Sequence, residues 1–312
     1  MTGKTARLGL IGAGRWGARY ISTIAAMDGV ELAVIASDNP ETPRLAPSGC
    51  KVVRSWQAPL EEDLDGLIIA SPSKTQAALA LAAINRGMPV LLQKPLALDV
   101  AGAEAIHELA MKKDCLVVVD QTQIFNPGYQ ELKRIARQIT GPMRIRSAGG
   151  AWGPFGRSTP VLWDWGPHDL AMCLDLAGTA PESCRAARKT EITDDGYHGE
   201  LISIHLSFGA AGAADITIGN IMPGKTRILE VAQEGRTLVF DDINSPKLTL
   251  RRAGKKEEIP FGATPPLTRV VEHFARAILE RDQPRDTSSL ELALDVVRAL
   301  GRLDAAMAEE KE

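Results

Sequence analysis

Three ionisable side chains in this sequence stand in patterns suited to proton transfer at a hydroxyl group. Lys94 follows an apolar run and precedes a proline, and Asp164 and His168 lie four residues apart. A histidine has an unperturbed pKa of ~6.5 and exchanges protons near neutral pH. A lysine starts near ~10.4 and approaches that range when desolvation lowers its pKa. The sequence therefore predicts general acid–base chemistry with Lys94, Asp164 and His168 as catalytic candidates.

Each of these residues also has an ordinary structural interpretation. A lysine after a strand is commonly a solvated edge charge, His168 could bond a backbone carbonyl or cap a helix, and Asp164 could serve only as a helix N-cap. If the segment is helical, Asp164 and His168 project from one face. Gly166 between them would then let a ligand approach the backbone. We expect the neighbouring Asp169 to be a structural carboxylate.

A second group of residues is typical of dinucleotide binding. Gly12, Gly14 and Gly17 form G-x-G-x-x-G after a predicted strand and at the start of a predicted helix, the context this fingerprint requires. The first two glycines permit a tight turn and close approach of a pyrophosphate, and the third lets helix and strand pack closely. The helix start offers N–H groups to phosphates, so Arg15 and Trp16 join the candidates. The alternative is a glycine-rich turn without a ligand.

The end of the second predicted strand holds the candidates for ribose recognition. Asp38, preceded by Ser37, lies ~20 residues beyond the glycines, where an acid binds the 2′-hydroxyl of NAD. The next arginine is Arg44, so no basic side chain follows at once to hold the 2′-phosphate of NADP. We therefore expect NAD, and NADP stays open. Alternatively, Asp38 only begins a turn with Asn39 and Pro40.

Alternating strands and helices must position these residues. Apolar runs predict strands at 7–11, 31–36, 51–53, 66–70, 90–93 and 115–119, and amphipathic segments predict helices at 15–27, 75–86 and 100–112, the last capped by Asp99. Continuous apolar strands that alternate with helices are typical of a parallel sheet covered on both faces. Ligands bind at the carboxyl ends of such strands, where Lys94 lies.

The second part of the chain has a different pattern. Helices are predicted at 127–138 (capped by Asn126), 166–176, 267–281 and 290–307 (capped by Thr287 or Ser288), and strands at 143–148, 201–208, 214–221, 227–232, 237–240 and 247–251. Alternation of apolar and polar residues predicts an antiparallel sheet with one face on a core. The predicted fold is α/β. Residues 1–121 form a Rossmann-type doubly wound parallel sheet, and residues 122–312 form an α+β domain with a large open, mainly antiparallel sheet.

Length, charge and cysteine content argue against several classes of protein. A chain of 312 residues suffices for two domains, and its net charge of −3 does not favour a nucleic acid or a membrane as partner. No stretch approaches the ~20 apolar residues of a membrane span, and we expect no secretory signal. The four cysteines lack metal-ligand spacing, which favours reduced thiols and a cytoplasmic protein. We expect no metal site, because the remaining histidines have no partners at matching spacings: His107, His198, His205 and His273.

Four further segments resemble one enzyme family. Ala70-Ser71-Pro72 resembles its loop after the fourth strand, and Gln93-Lys94-Pro95 resembles its Glu-Lys-Pro segment. Phe125-Asn126-Pro127 is similar to the start of its linking helix, and residues 163–170 are similar to its Asp-x-Gly-x-His segment. Together with the glycine motif, these segments resemble the glucose–fructose oxidoreductase / inositol dehydrogenase / rhizopine-catabolism (GFO/IDH/MocA) family over nearly the whole chain.

The resemblance implies NAD(P)-dependent hydride transfer at a secondary alcohol of a sugar, nucleotide sugar or cyclitol. It assigns proton transfer to His168, orientation or proton relay to Asp164, and binding of the hydroxyl and alkoxide to Lys94. It also implies a cis peptide at Pro95 and a homodimer or homotetramer formed through the open sheet. Ser71, Pro72, Gln76 and Gln93 join the cofactor candidates, and Gln121, Trp152, Trp163 and Trp165 are the substrate candidates. The tryptophans could instead fill the core or an interface.

The sequence departs from the family pattern at several positions. Gln93 stands where the family has a glutamate, so any charge pairing of that residue with the next lysine is lost. Gln76 replaces a histidine, Ser37 occupies the usual position of the ribose-binding acid, and Gln123 and Ile124 replace a basic pair. Two other functions therefore stay open. One is a regulator that binds NAD(P) without catalysis, and the other is an enzyme that recycles a tightly bound cofactor between two substrates.

Overall fold

The strands predicted in the first third of the sequence form one parallel sheet. The computed structural model describes residues 4–155, 159–194, 197–245, 247–280 and 285–309. Its first strands are β1 (Ala6–Ile11), β2 (Val30–Ala36), β3 (Lys51–Val53), β4 (Gly66–Ile69), β5 (Val90–Gln93) and β6 (Val117–Asp120). Their order is β3-β2-β1-β4-β5-β6, with every neighbouring pair parallel. The predicted doubly wound sheet is confirmed, and its strand order reverses between β1 and β4, where ligands bind in such folds.

Helices connect these strands. They are α1 (Arg15–Ala25), α2 (Thr42–Leu45), α3 (Ser73–Asn85) and α4 (Val100–Lys112). The predicted cap of α4 is confirmed, because the Asp99 carboxylate accepts a hydrogen bond from the Gly102 N–H at 2.7 Å. The strands β4, β5 and β6 are buried on both faces, as the continuous apolar runs indicated.

A second, larger sheet follows. Its elements are α5 (Pro127–Ala136), β7 (Met143–Trp152), α6 (Val161–Ala177), β8 (Ser183–Asp194), β9 (Tyr197–Ser207), β10 (Gly212–Gly219), β11 (Ile221–Gln233), β12 (Arg236–Asp241), β13 (Leu248–Arg252) and β14 (Lys255–Glu258). The order is β14-β13-β12-β11-β7-β10-β9-β8. All neighbouring pairs are antiparallel except β7 and β10. The predicted mainly antiparallel sheet is confirmed, as is the Asn126 cap of α5, whose side chain accepts from the Gly128 N–H at 2.9 Å.

The structure corrects the sequence analysis at three elements of this sheet and its helix. The strands β8 and β14 were not predicted; both are edge strands rich in charged residues, which hide the alternating pattern. The helix α6 begins at Val161 rather than at 166, and it continues through Pro167. Val161 and Leu162 are buried, so packing of this first turn outweighs the local signal of a glycine followed by a proline.

The chain divides into two units, one around each sheet. The first comprises Met1–Thr122 and Pro265–Leu294, and the second comprises Gln123–Thr264 and Asp295–Glu312. The last helices are α7 (Pro266–Leu279) and α8 (Ser288–Glu309). The helix α7 packs on α1 and β1, so a segment that the sequence analysis assigned to the second domain lies with the first sheet. Residue 281, the predicted end of this helix, is outside the described residues.

Two further observations concern the cysteines and the possibility of a membrane-spanning helix. All four cysteines are free thiols. Within the described ranges, no helix combines the length and the apolar character that crossing a lipid bilayer requires.

Candidate active site

The glycine motif forms a turn that leads into α1. Gly12 has φ +93°, and a Cβ there would lie 2.8 Å from the Ala70 carbonyl oxygen. A Cβ on Gly17 would overlap the Gly12 carbonyl oxygen, whereas one on Gly14 would meet no atom within 4 Å. No side chain caps α1, so its first N–H groups face the same open space. This cradle fits the pyrophosphate of a dinucleotide.

The loop after β2 is tied to the glycine turn by Ser37 and Asn39. The Ser37 hydroxyl accepts from the Ala13 N–H at 3.3 Å and from the Asn39 N–H at 3.1 Å. The Asn39 amide donates to the Ala13 carbonyl at 2.7 Å. Asp38, between them, is exposed. Ser37 thus braces the loop, and Asp38 is the acid that faces solvent at this edge.

Two other cofactor candidates lie at the start of α1. Arg15 is exposed, and Trp16 is half-buried. The guanidinium carbon of Arg19 stands 4.7 Å from the centroid of the Trp16 ring, a cation–π contact. One face of this ring is therefore covered by a side chain of its own helix.

Three buried glutamines follow β4, β5 and β6 at the carboxyl edge of the first sheet. Gln76, Gln93 and Gln121 are each at most 3% exposed. The Gln76 amide donates to the Ser71 carbonyl at 2.9 Å. Its Oε1, the Gln93 Oε1 and both polar atoms of Gln121 have no hydrogen-bond partner among the residues that the structure describes. Buried amide groups normally form hydrogen bonds, so this edge matches a ligand that both donates and accepts. A nicotinamide carboxamide is such a group, and the residues present fit NAD or NADP.

The loop after β4 supplies the remaining cofactor candidates. Pro72 is exposed and immediately precedes α3. The Ser71 hydroxyl is half-buried and lies 3.0 Å from the Thr75 hydroxyl, which donates to it. This loop contacts the glycine turn. A Cβ at Gly12 would collide with the backbone of Ala70 and Ser71.

Lys94 lies directly after β5 beside a buried carboxylate that the sequence analysis missed. Lys94 is half-buried, and its peptide bond to Pro95 is cis. Asp120 ends β6, opposite Gln93 in the strand register, and it is fully buried. Burial raises the pKa of Asp120, while its hydrogen bonds and the positive charge of Lys94 act in the opposite direction. Gln93 carries no charge to pair with Lys94, as the sequence analysis noted, and Asp120 is the carboxylate on which the Lys94 charge acts.

Three side chains hold the Asp120 carboxylate. The Tyr20 hydroxyl donates to Oδ2 at 2.5 Å, and the Gln93 amide donates to the same oxygen at 3.0 Å. The Thr122 hydroxyl donates to Oδ1 at 2.8 Å. Burial, followed by the Asp120 charge, raises the pKa of Tyr20 well above its usual value. Apolar periodicity does not indicate this cluster, because an aspartate after a valine run looks like the first residue of a loop.

The helix α6 carries both Asp164 and His168. Asp164 is half-buried, and His168 is 9% exposed. The Asp164 N–H donates to the Pro160 carbonyl at 3.0 Å, so this aspartate lies inside the helix and is not its N-cap. The expectation for Gly166 is wrong: a Cβ there would stand 3.2 Å from a leucine of α8 and 3.5 Å from an isoleucine of β10. Its small size serves packing rather than ligand approach.

Asp169 ties α6 to β7. It is 3% exposed, and it accepts a hydrogen bond from the Ser147 hydroxyl. Its carboxylate also occupies the space into which a Cβ at Gly149 would project. Burial raises the pKa of Asp169 to about 6, against the opposing effects of Ser147 and Arg227. These contacts favour the structural interpretation of this residue.

The three tryptophans among the substrate candidates have different surroundings. Trp163 is 5% exposed, and its indole N–H donates to Asp304 at 3.3 Å, which is typical of a core residue. Trp165 is half-buried. Trp152 is 63% exposed and packs edge-on against Phe155 with ring centroids 5.7 Å apart.

Two histidines have carboxylate partners that the sequence spacing did not reveal. His205 Nδ1 lies 2.8 Å from an Asp215 carboxylate oxygen across β9 and β10. His198 Nε2 lies 3.0 Å from Glu200 and 3.5 Å from Glu191. These three groups are close enough to share a cation, but Glu200 already forms an ion pair with an arginine at 2.7 Å. We therefore assign no metal to them.

Comparisons with known proteins bear on the whole chain. Residues 6–121 match the profile of the GFO/IDH/MocA group, described as an oxidoreductase family with an NAD-binding Rossmann fold. Inositol 2-dehydrogenase 4 of Saccharopolyspora erythraea is 33% identical over 78% of this chain and 75% of its own length. A crystal structure from Magnetospirillum magnetotacticum MS-1 matches with a TM-score of 0.89 and 39% identity, covering 96% of this chain and 100% of that one.

A third relative bears on the fold. UDP-N-acetylglucosamine 3-dehydrogenase of Acidithiobacillus ferrooxidans matches with a TM-score of 0.84 at 23% identity, covering 99% of each chain. At this identity the similarity concerns the fold rather than the substrate.

Proposed function

The chain belongs to the GFO/IDH/MocA oxidoreductase family, and from that premise we propose that it interconverts a secondary alcohol and a ketone on a sugar, nucleotide sugar or cyclitol. A bound NAD(P) supplies the hydride chemistry. The observation that carries the proposal is the place of Lys94 at the carboxyl edge of the first sheet. The cradle at Gly14 and the unpartnered buried amides lie at the same edge.

The proposed role of Lys94 is to bind the reacting hydroxyl. Its ammonium group donates a hydrogen bond to that oxygen and stabilises the negative charge that develops on it as the proton leaves. Removing one such preorganised donor typically lowers kcat by ~10²–10³. We therefore expect Lys94→Ala to lower kcat by ~10²-fold or more while the Kd for NADH changes little. Lys51→Ala, on the exposed end of β3, is the matched control.

The proposed role of His168 is to move the hydroxyl proton. In oxidation it takes the proton from the alcohol, and in reduction it returns the proton to the alkoxide. Asp164 lies one helical turn earlier on the same face of α6 and orients the substrate or relays the proton. Replacing His168 by asparagine removes the titrating group, so the remaining activity should lose the pH dependence of the acidic limb.

Three finer proposals accompany this function. NAD is the preferred cofactor, because Asp38 is an exposed acid at the ribose end of the glycine turn. The substrate is a ring polyol, which is supported by the inositol dehydrogenase at 33% identity. The protein is a cytoplasmic homo-oligomer, which agrees with its free thiols and with the open face of its larger sheet.

Binding titrations followed by a substrate panel test the proposal. NADH and NADPH are titrated first, and nicotinamide absorbance is then followed with inositols, sugars and nucleotide sugars. Tighter binding of NADH and turnover of a ring alcohol are the expected results. Cofactor binding without turnover across the panel would contradict the substrate class, and failure to bind either cofactor would contradict the function as a whole.

A further inference from the structure

The cluster around Asp120 is larger than the packing of the first sheet requires. A carboxylate buried in a sheet is costly unless it is hydrogen-bonded and paired with a positive charge. Asp120 receives hydrogen bonds from three elements: Tyr20 of α1, Gln93 of β5, and Thr122 after β6. An uncharged residue in its place would avoid this cost, so the carboxylate needs another explanation.

The positive charge that acts on Asp120 is that of Lys94. Gln93 and Asp120 are register partners in adjacent parallel strands, and Lys94 is the next residue after Gln93. The side chains of Tyr20 and Lys94 are the titratable groups that act on Asp120, and Gln93 and Thr122 face it as neutral donors. The carboxylate has donors on both oxygens, which fixes its direction. A fixed negative charge beside a flexible lysine restrains the ammonium group and stabilises its protonated form.

We propose that Asp120 is the positioning residue for Lys94: a buried carboxylate, held by Tyr20, Gln93 and Thr122, that directs the ammonium group at the substrate oxygen and keeps it protonated. The effect of the Lys94 charge on Asp120 and the register of β5 with β6 support this pairing, and both lie within the first unit. Its effect on turnover rests on the proposed function. Lys94 and Asp120 titrate as a coupled pair, so loss of one charge changes the proton affinity of the other.

The pH dependence of Lys94 labelling tests the pairing without a substrate. The protein is treated with an acetylating reagent from pH 6 to pH 11, and acetylation of the Lys94 amine is quantified by mass spectrometry. Asp120→Asn keeps the size of the side chain and removes its charge. We expect the midpoint of labelling to fall by about one pH unit or more, since a neighbouring opposite charge typically shifts a pKa by ~1–3 units. Thr122→Val removes one donor to the carboxylate and should lower the midpoint by less.

A charge swap provides the rescue. In the double variant Gln93→Glu with Asp120→Asn, the carboxylate moves across the existing 3.0 Å hydrogen bond to the neighbouring strand. The amide then donates in the opposite direction, and a negative charge again lies beside Lys94. We expect the labelling midpoint to return towards that of the unaltered protein. A purely structural role for Asp120 predicts no such return.

Asp175 offers a matched control in the other unit. It accepts from the Tyr129 hydroxyl at 2.5 Å and forms an ion pair with Lys133 at 2.6 Å. Asp175→Asn removes a carboxylate that also has a tyrosine and a lysine as partners, so it should leave the labelling midpoint of Lys94 unchanged. Thermal unfolding of each variant confirms that the compared proteins are folded.

The outcomes separate this inference from the proposed function. An unchanged Lys94 midpoint in Asp120→Asn, or no return in the double variant, overturns the pairing even if the enzyme turns over alcohols. If a substrate is found, the basic limb of kcat/KM should fall in pH by the same amount as the labelling midpoint. A shifted midpoint together with no turnover on any alcohol contradicts the proposed function and leaves the pairing supported.

Discussion

At the residue scale, the proposed contact of Asp38 with the ribose predicts which cofactor binds more tightly. Asp38 is exposed, and the neighbouring Ser37 is engaged with the backbone of the glycine turn. A hydrogen bond to a charged group contributes ~1.5–3 kcal/mol. Asp38→Asn should therefore raise the Kd for NADH by ~10-fold or more. It should also tighten NADPH binding, because the repulsion of the 2′-phosphate is removed. Fluorescence titrations with both cofactors measure this.

The control for that experiment is an acid at the other end of the same strand. Glu31 is the second residue of β2 and forms an exposed ion pair with Arg7. Glu31→Gln should leave both dissociation constants unchanged. If Asp38→Asn weakens the binding of NADH and NADPH equally, or of neither, the assignment of Asp38 to the ribose is wrong.

Local motifs predicted one part of the candidate site, and strand register determined the rest. The glycines and Lys94 are visible in the sequence because their meaning depends on adjacent residues. Asp120 is not, since its partners Tyr20, Gln93 and Lys94 lie far from it in the sequence. The pairing of β5 with β6 brings Gln93 and Lys94 to Asp120, and α1 brings Tyr20. The Asp215 partner of His205 was also missed because it lies on the neighbouring strand.

At the element scale, two glycines of the turn into α1 have different roles, one in cofactor binding and the other in folding stability. A methyl group at Gly14 would project into open space, and one at Gly17 would overlap the Gly12 carbonyl oxygen. Gly14→Ala should therefore weaken NADH binding by ~10-fold or more with little change in Tm, because the methyl group obstructs the pyrophosphate. Gly17→Ala should lower the free energy of unfolding by ~1–3 kcal/mol, since α1 must shift. Calorimetry and cofactor titration of the two variants measure both effects. A large fall in Tm for Gly14→Ala would contradict this assignment.

The contact between α6 and β7 should make stability depend on pH. The pKa of Asp169 is about 6 in the folded chain, against ~3.9 in an unfolded one. A raised carboxyl pKa means that the folded state holds the proton more tightly. The resulting stability is fully present below pH ~4 and is lost as the pH rises through ~6.

Asp169→Asn removes this dependence. The amide stays neutral and still accepts from Ser147, so the variant should gain ~2 kcal/mol relative to the parent between pH 4 and pH 8. Urea unfolding at the two pH values measures the gain. Asp63→Asn, at an exposed aspartate, is the control. An equal effect of Asp169→Asn at both pH values would show that the carboxyl group does not titrate between them.

Strand position explains which elements the sequence predicted. Central strands such as β5 are buried on both faces, so their apolar runs mark them clearly. The edge strand β14 is exposed at every residue and has no apolar pattern. The start of α6 was not predicted because its first turn is stabilised by tertiary packing, which the local sequence does not show. Propensity at a glycine–proline pair is a weak local signal that such packing overrides.

At the scale of the whole molecule, a segment late in the chain belongs to the unit that is built around the first sheet. The helix α7 returns to the first sheet, where Val270, Val271 and Phe274 are fully buried. A Cβ at Gly66 would stand 2.7 Å from the Phe274 ring, so a glycine at the start of β4 makes room for it. Periodicity predicts that α7 has an apolar face but not which sheet covers it. The boundary at 121–122 was inferred from the change in the pattern of strands and helices along the sequence. Such a change does not show that the later helix α7 packs on the first sheet.

The open face of the larger sheet carries a row of charged residues. The helix α6 packs on β7, β9 and β10, on the face that holds Ile145 and Ile216. On the opposite face, Glu230, Arg146, Asp215 and His205 lie next to one another across four strands. Opposite charges across strands contribute ~0.2–1 kcal/mol each, so this face is stable in a single chain. Association through it should be polar and sensitive to salt.

This arrangement gives a test of the proposed homodimer or homotetramer. Arg146 stands between two acids, so Arg146→Glu places three carboxylates side by side and reverses the charge that a second copy would meet. Light scattering should give an oligomer for the parent protein and a monomer for the variant. At 1 M NaCl the parent should give a smaller mass, because salt at this concentration screens charge interactions beyond ~3 Å. Lys51→Glu, on the exposed end of β3, should leave the mass unchanged. Circular dichroism establishes that each variant is folded. A monomeric parent would contradict the oligomer, and a variant that keeps its mass would place the interface elsewhere, because like charges held this close repel more strongly than a polar interface can offset.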